Sequence, residues 1–158
     1  MIDSASGRLS RVVAMRLAPG DDLFLGIEET CRKYGIKNGV ILSGIGSLRN
    51  AKFFDPVELP ETKSGYGYSE AIEEEGPIEL ISASGAICTG PDGDVLLHVH
   101  CCFADSSGRA FAGHLIEGNT VLLTADVTIA EYEGILMDRR FDEELGVPIV
   151  RPRQLQQK

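Results

Sequence analysis

From residue 78 to residue 132 the chain offers four runs with strand character, separated by connections too short to hold a helix. The runs cover residues 78–89, 95–103, 109–116 and 120–132. Between them lie Pro91-Asp92-Gly93-Asp94, the five residues from Ala104 to Gly108, and Glu117-Gly118-Asn119. Parallel neighbours need a crossover of roughly a dozen residues or more. Connections this short therefore force consecutive strands to pair antiparallel. Gly85 interrupts the first run and marks a bulge or bend. The last run is rich in β-branched residues, as a strand requires.

The rest of the chain adds one helix and further strands. Leu23, Ile27, Cys31 and Tyr34 recur at helical spacing, which predicts an amphipathic helix over about residues 22–34. Asp21 and Asp22 can cap its start, and Gly35 can stop it in the left-handed region. Residues 11–17, 38–43 and 48–55 read as strands, with Gly44-Ile45-Gly46-Ser47 as a strand-end turn. Residues 56–76, rich in Pro, Gly and Glu, read mostly as a solvated excursion holding at most one short strand. Residues 137–146 read as a helical turn. The expectation is an α+β fold, a compact domain over residues 8–150 with a mostly antiparallel sheet of about seven strands. Residues 1–7 and 151–158 are expected to be flexible tails.

Composition narrows the function classes. The chain has 158 residues, 43% of them apolar, enough for one core. No apolar run approaches the roughly 18 residues of a membrane span. The N-terminus lacks the apolar stretch of a signal peptide, so the expected location is the cytoplasm. Cys31, Cys88, Cys101 and Cys102 have no Cys-x-x-Cys spacing and are expected to be free thiols. The formal charge of −9 disfavours direct DNA binding, which needs basic groups for phosphates. It leaves room for a small ligand, a metal or a protein partner.

The three histidines carry the sharpest expectation. In a strand, His98 and His100 share one face while Val99 points to the other. Their Cα atoms are then about 6.6–7 Å apart, close enough for two imidazoles to reach one ion. The turn Ser106-Ser107-Gly108 fits a three-residue hairpin loop with glycine in the left-handed place. That register pairs Asp105 with Arg109 and sets His114 opposite His100 on the same face. Three imidazoles with one open position suit zinc or another divalent metal. Cys102, on the same face, is a weaker candidate for a fourth ligand. The competing possibility is three histidines that merely form hydrogen bonds on a half-buried sheet.

Several stretches together resemble the PPC (plants and prokaryotes conserved) domain family. They include residues 16–23, Gly46-Ser47-Leu48, residues 79–82, His98-Val99-His100, Ala112-Gly113-His114-Leu115, Thr124-Ala125 and residues 139–142. The resemblance covers roughly residues 11–150. It implies a sheet flanked by helices, a homotrimer, and metal at the three histidines. Two departures stand out: Ala112 where the family often has a second glycine, and Asp126 where it often has Glu. The first functional expectation is a trimeric metal-binding domain that acts on or senses a small ligand. Asp126, Glu131 or Glu117 would give acid–base help, and Arg139 would hold an anionic group. The alternatives are a DNA-associated regulator touching phosphates through Arg8, Arg11, Arg151, Arg153 and Lys158, and a trimerisation or protein-interaction module. Neither a nucleophile elbow nor a phosphate loop is present to name a reaction.

Overall fold

The computed structural model describes residues 2–155. The elements run β1 (Arg8–Leu17), α1 (Leu23–Tyr34), β2 (Gly39–Phe54), β3 (Pro56–Glu58), β4 (Tyr66–Tyr68), β5 (Ile72–Thr89), β6 (Val95–Asp105), β7 (Ala110–Leu115), β8 (Val121–Glu133), β9 (Ile135–Asp142) and β10 (Val147–Gln154). Eight strands form one sheet in the order β1-β8-β2-β7-β6-β5-β9-β10, and β3 pairs with β4 in a separate ribbon. β2 also pairs with β5, so β2, β5, β6 and β7 close on themselves. The named pairings are antiparallel except β5 with β9, which meet in parallel at Thr89 and Asp138.

The single helix forms as its spacing predicts. Leu23, Ile27 and Cys31 are fully buried on one face. Asp22 caps the start by accepting from the Leu25 amide at 2.9 Å. The same carboxylate accepts from the amides of Gly118 and Asn119, tying the helix start to the loop before β8. Gly35, at φ 66°, ends the helix. Each fully buried Leu or Ile contributes on the order of 1.5–3 kcal/mol. With Ile36, Leu48, Leu80, Phe103 and Ile129 these residues make one continuous core.

Five expectations need correction. The fold is mostly β, with one helix among the described residues rather than flanking helices. Residues 137–146 hold no helical turn. They lie in β9 and the turn leading to β10, where Asp142 accepts from the amides of Glu144 and Leu145. Residues 38–55 are one long strand rather than two. Gly46 there approaches the Thr124 carbonyl so closely that a Cβ would lie 2.3 Å from it, so the glycine serves close strand contact, not a chain reversal. The excursion over 56–76 contains β3, β4 and the start of β5. The tail from Arg151 to Gln154 is part of β10 and pairs with β9; residues 156–158 fall outside the described residues. Arg151 and Arg153 stay ordered because Asp142 and Asp138 bind their guanidinium groups, at 2.5 and 3.0 Å.

The β6–β7 hairpin has the expected register. His100 stands opposite His114, Cys101 opposite Gly113 and Phe103 opposite Phe111. The turn is held by Asp105. Its carboxylate accepts from the Ser107 amide at 2.9 Å, the Ser107 hydroxyl at 2.7 Å, the Arg109 amide at 3.0 Å and Arg109 Nε at 2.9 Å. Gly108 completes it at φ 82°. These donors, the Ser107 hydroxyl first and Arg109 next, hold the Asp105 carboxyl well below the usual carboxylate range. Its stabilisation is therefore present above the ordinary Asp value of about 3.9 and lost as pH falls below it. Thermal melts of Asp105→Asn should show a lower Tm than wild type at pH 7, with the gap shrinking at pH 3. An equal gap at both pH values would remove the charge from this account of the turn.

Candidate metal centre

His98 and His100 leave β6 on one face, and His114 leaves β7 beside them. The three ring centroids stand 5.1, 5.1 and 5.2 Å apart, nearly an equilateral triangle. One ligand atom from each ring lies within 4.8 Å of the others, and the Nε2 atoms of His98 and His100 are 3.1 Å apart. A tetrahedral ion with bonds of about 2.0–2.1 Å separates its ligand atoms by roughly 3.3 Å. The donor set and its spacing therefore fit one small divalent ion after minor ring rotation. Cys102 shares the face but is not among the converging donors.

Local sequence explains why the rings can meet here. Gly85 lies opposite Val99, and a Cβ on it would stand 2.2 Å from the His98 carbonyl oxygen. β5 therefore lies unusually close beneath the β6 segment that carries two of the histidines. Gly113 plays the same part for β7, where a Cβ would meet Phe53 Cδ2 at 2.2 Å and the Phe54 carbonyl at 2.9 Å. That contact seats His114 against β2, opposite Phe54.

The surroundings favour neutral imidazole, the form that carries a lone pair for a metal. Burial pushes the His114 ring down to about 4, with the neighbouring His98, His100 and Arg139 charges adding to the effect. His98 is lowered too, by burial first and then by His100 and Arg139. Tyr68 Oη lies 3.4 Å from His114 Nδ1, and the two ring centroids stand 5.0 Å apart with the planes tilted by 49°.

The histidines line a cleft of about 740 Å³, with His98 and His114 half-buried and His100 exposed. One wall is the β3–β4 ribbon, through Tyr66 and Tyr68. The other is the β9–β10 hairpin, through Arg139, Leu145, Val147 and Ile149. The Lys63 ammonium donates to the Glu143 carbonyl and joins the two walls. Of the polar residues singled out from sequence, Arg139 lines the cleft. The others do not. Glu131 is bound to Arg11 at 2.7 Å, Asp126 stands on β8 opposite Arg16 and Ile45, and Glu117 is exposed in the loop before β8. Both tyrosines and the apolar wall were missed. The alternation in Tyr66-Gly67-Tyr68 and in Val147-Pro148-Ile149 was the available signal.

A closed, mostly antiparallel sheet bearing a three-histidine cluster on one face defines the class of protein. The model of the Plants and Prokaryotes Conserved (PCC) domain matches residues 4–133, and the chain belongs to that family. A plant- and prokaryote-conserved protein of Pyrococcus horikoshii is similar over 98% of this chain and 100% of its own, with 29% identity and a TM-score of 0.79. A metal-containing protein of Archaeoglobus fulgidus is similar over 94% of this chain and 99% of its own, with 27% identity and a TM-score of 0.80. Among curated relatives, the bifunctional protein GlmU of Synechococcus sp. (strain JA-3-3Ab) is 32% identical over 136 residues, 86% of this chain. This chain spans about a fifth of the length of the curated relatives it matches.

The glycine beneath His114 gives a direct test. Gly113→Ala should cost about 1–3 kcal/mol of stability by overpacking against Phe53 and should displace the His114 ring signals in NMR. Ala112→Gly, at the exposed neighbouring position, should leave the ring signals in place.

Proposed function

We propose that the protein is a metal-binding domain in which His98, His100 and His114 hold one divalent ion, zinc by preference, beside a cleft for a small ligand. The observation that carries this reading is the convergence of three imidazoles, from two paired strands, within 4.8 Å. The similarity to an archaeal protein described as metal-containing adds support. Three protein ligands leave a coordination position open, as in exchangeable and catalytic sites rather than closed structural ones. When bound, such an ion supplies Lewis acidity, lowering the pKa of a bound water or polarising a carbonyl. The chain's own residues half-bury His98 and His114, set the rings and leave Arg139 beside them for an anionic group. Among the described residues that line the cleft there is no carboxylate.

We place this domain in the cytoplasm as a homotrimer. Leu42, Ile45 and Ile81 stand about half exposed on the adjacent strands β2 and β5, an apolar surface suited to a second copy. No helix among the described residues is long and apolar enough to cross a membrane. The DNA-regulator reading has weaker support. The arginines offered for phosphate contact are engaged inside the chain: Arg8 with Glu133, Arg11 with Glu131, Arg151 with Asp142 and Arg153 with Asp138. Lys158 lies outside the described residues.

Elemental analysis after zinc dialysis should give close to one equivalent per chain. His114→Ala should reduce this at least tenfold while the protein stays folded by circular dichroism. Retention of the full equivalent by His114→Ala would overturn the three-histidine assignment. Light scattering should give three times the 17.1 kDa chain mass. A monomer at micromolar concentration would exclude the trimer.

A further inference from the structure

We propose that the cleft selects a small organic monocarboxylate with an apolar body, its carboxylate directed to Arg139 and the open metal position, and its body against the β9–β10 wall. This rests on the metal reading and adds a ligand class to it. Three features of the cleft point the same way.

The first is charge. Neutral imidazoles leave a dication with its full charge, so no part of the ligand set offsets it. Arg139 adds a further positive charge, and its half-buried guanidinium makes neither an ion pair nor a side-chain hydrogen bond among the described residues. In contrast, Arg8, Arg11, Arg32, Arg109, Arg140, Arg151 and Arg153 each have a carboxylate within reach, and Arg16 and Arg49, which have none among the described residues, are exposed to water. No Asp or Glu is among the described residues that line the cleft, in a chain with 24 of them. A half-buried guanidinium beside a dication calls for an anion, because an uncompensated charge in such a site is costly.

The second is the wall. Leu145, Val147, Pro148 and Ile149 present an apolar surface on the side of Arg139, and Tyr66 faces them. Inorganic phosphate could satisfy the charge but would leave this surface in water. A carboxylate on an alkyl or aryl body satisfies both. The third is size, since about 740 Å³ is in the range of clefts that hold small organic ligands.

The test uses the full-length chain loaded with cobalt(II), whose visible spectrum reports its coordination. Hexanoate should change the spectrum saturably. Acetate should bind more weakly, because each added methylene contributes about 0.8 kcal/mol, or up to fourfold, where it is buried. Arg139→Gln should keep full cobalt content yet weaken hexanoate at least tenfold. Val147→Asn should shrink the advantage of hexanoate over acetate while leaving acetate unchanged. If cobalt loads but hexanoate at millimolar concentration leaves the spectrum unaltered, the ligand assignment is wrong and the metal assignment stands. Inorganic phosphate binding as tightly as hexanoate would likewise overturn the ligand assignment alone. If cobalt does not load, the metal reading fails and takes this proposal with it.

Discussion

The arrangement of the site depends on the register of the β6–β7 hairpin. One side of this hairpin carries His100 opposite His114; the other carries Phe103 opposite Phe111. Phe103 is fully buried and packs against Phe53 and Phe111, at centroid distances of 5.8 and 5.5 Å. A slip of one residue would exchange the two sides. It would drive an imidazole toward the core and a phenyl ring into the cleft, and both moves cost free energy. The aromatic cluster thus specifies the position of the histidines, although it touches none of the chemistry.

The rest of the structure supports that face from its margins. Gly85 and Gly113 bring β5 and β2 close beneath it, so the rings are fixed by main-chain contact rather than by long side chains. The β9–β10 hairpin joins β5 through the ladder pair Thr89–Asp138, and the Met137 amide donates to Asn38 Oδ1 at 2.8 Å. Asp138, almost fully buried, binds Arg140 and Arg153, while Asp142 binds Arg151. Buried ion pairs are poor sources of net stability but discriminate well between arrangements. Here they lie within the hairpin and hold β10 on β9, so the two strands that supply one wall of the cleft stay paired. This hairpin lies past residue 133, where the match to the family model ends.

The histidine cluster was legible in the sequence because strand parity and one turn type suffice to place it. Ser106-Ser107-Gly108 set the hairpin, and alternation did the rest. The helix was legible for a similar reason, with Leu23, Ile27 and Cys31 at helical spacing between Asp22 and Gly35. The cleft walls were not legible. Their residues lie far apart in sequence, and residues 56–76 carry turn-forming composition that hides two short paired segments. The end of the chain was misread because basic, proline-containing residues look like a frayed tail. What orders Arg151 and Arg153 is a pair of acids nine and fifteen residues away, on the facing strand. Pairing of that kind is a tertiary fact that composition does not reveal.

Charge in this molecule is a matter of placement rather than total. The net charge of −9 predicts repulsion of anions at a distance. Yet between exposed charges such repulsion fades over about 8–10 Å at ordinary ionic strength. Within the cleft the local groups decide, and they are imidazoles, phenols, alkyl side chains and one guanidinium. Most of the exposed arginines elsewhere are matched with carboxylates, so much of their charge is spent within the fold. An acidic surface around a cleft without acids repels polyanions such as nucleic acid, whose size keeps them in the outer field. A small anion can enter the cleft and be held there by the field of its walls. The same distribution that counts against a nucleic-acid partner is therefore compatible with a compact anionic ligand.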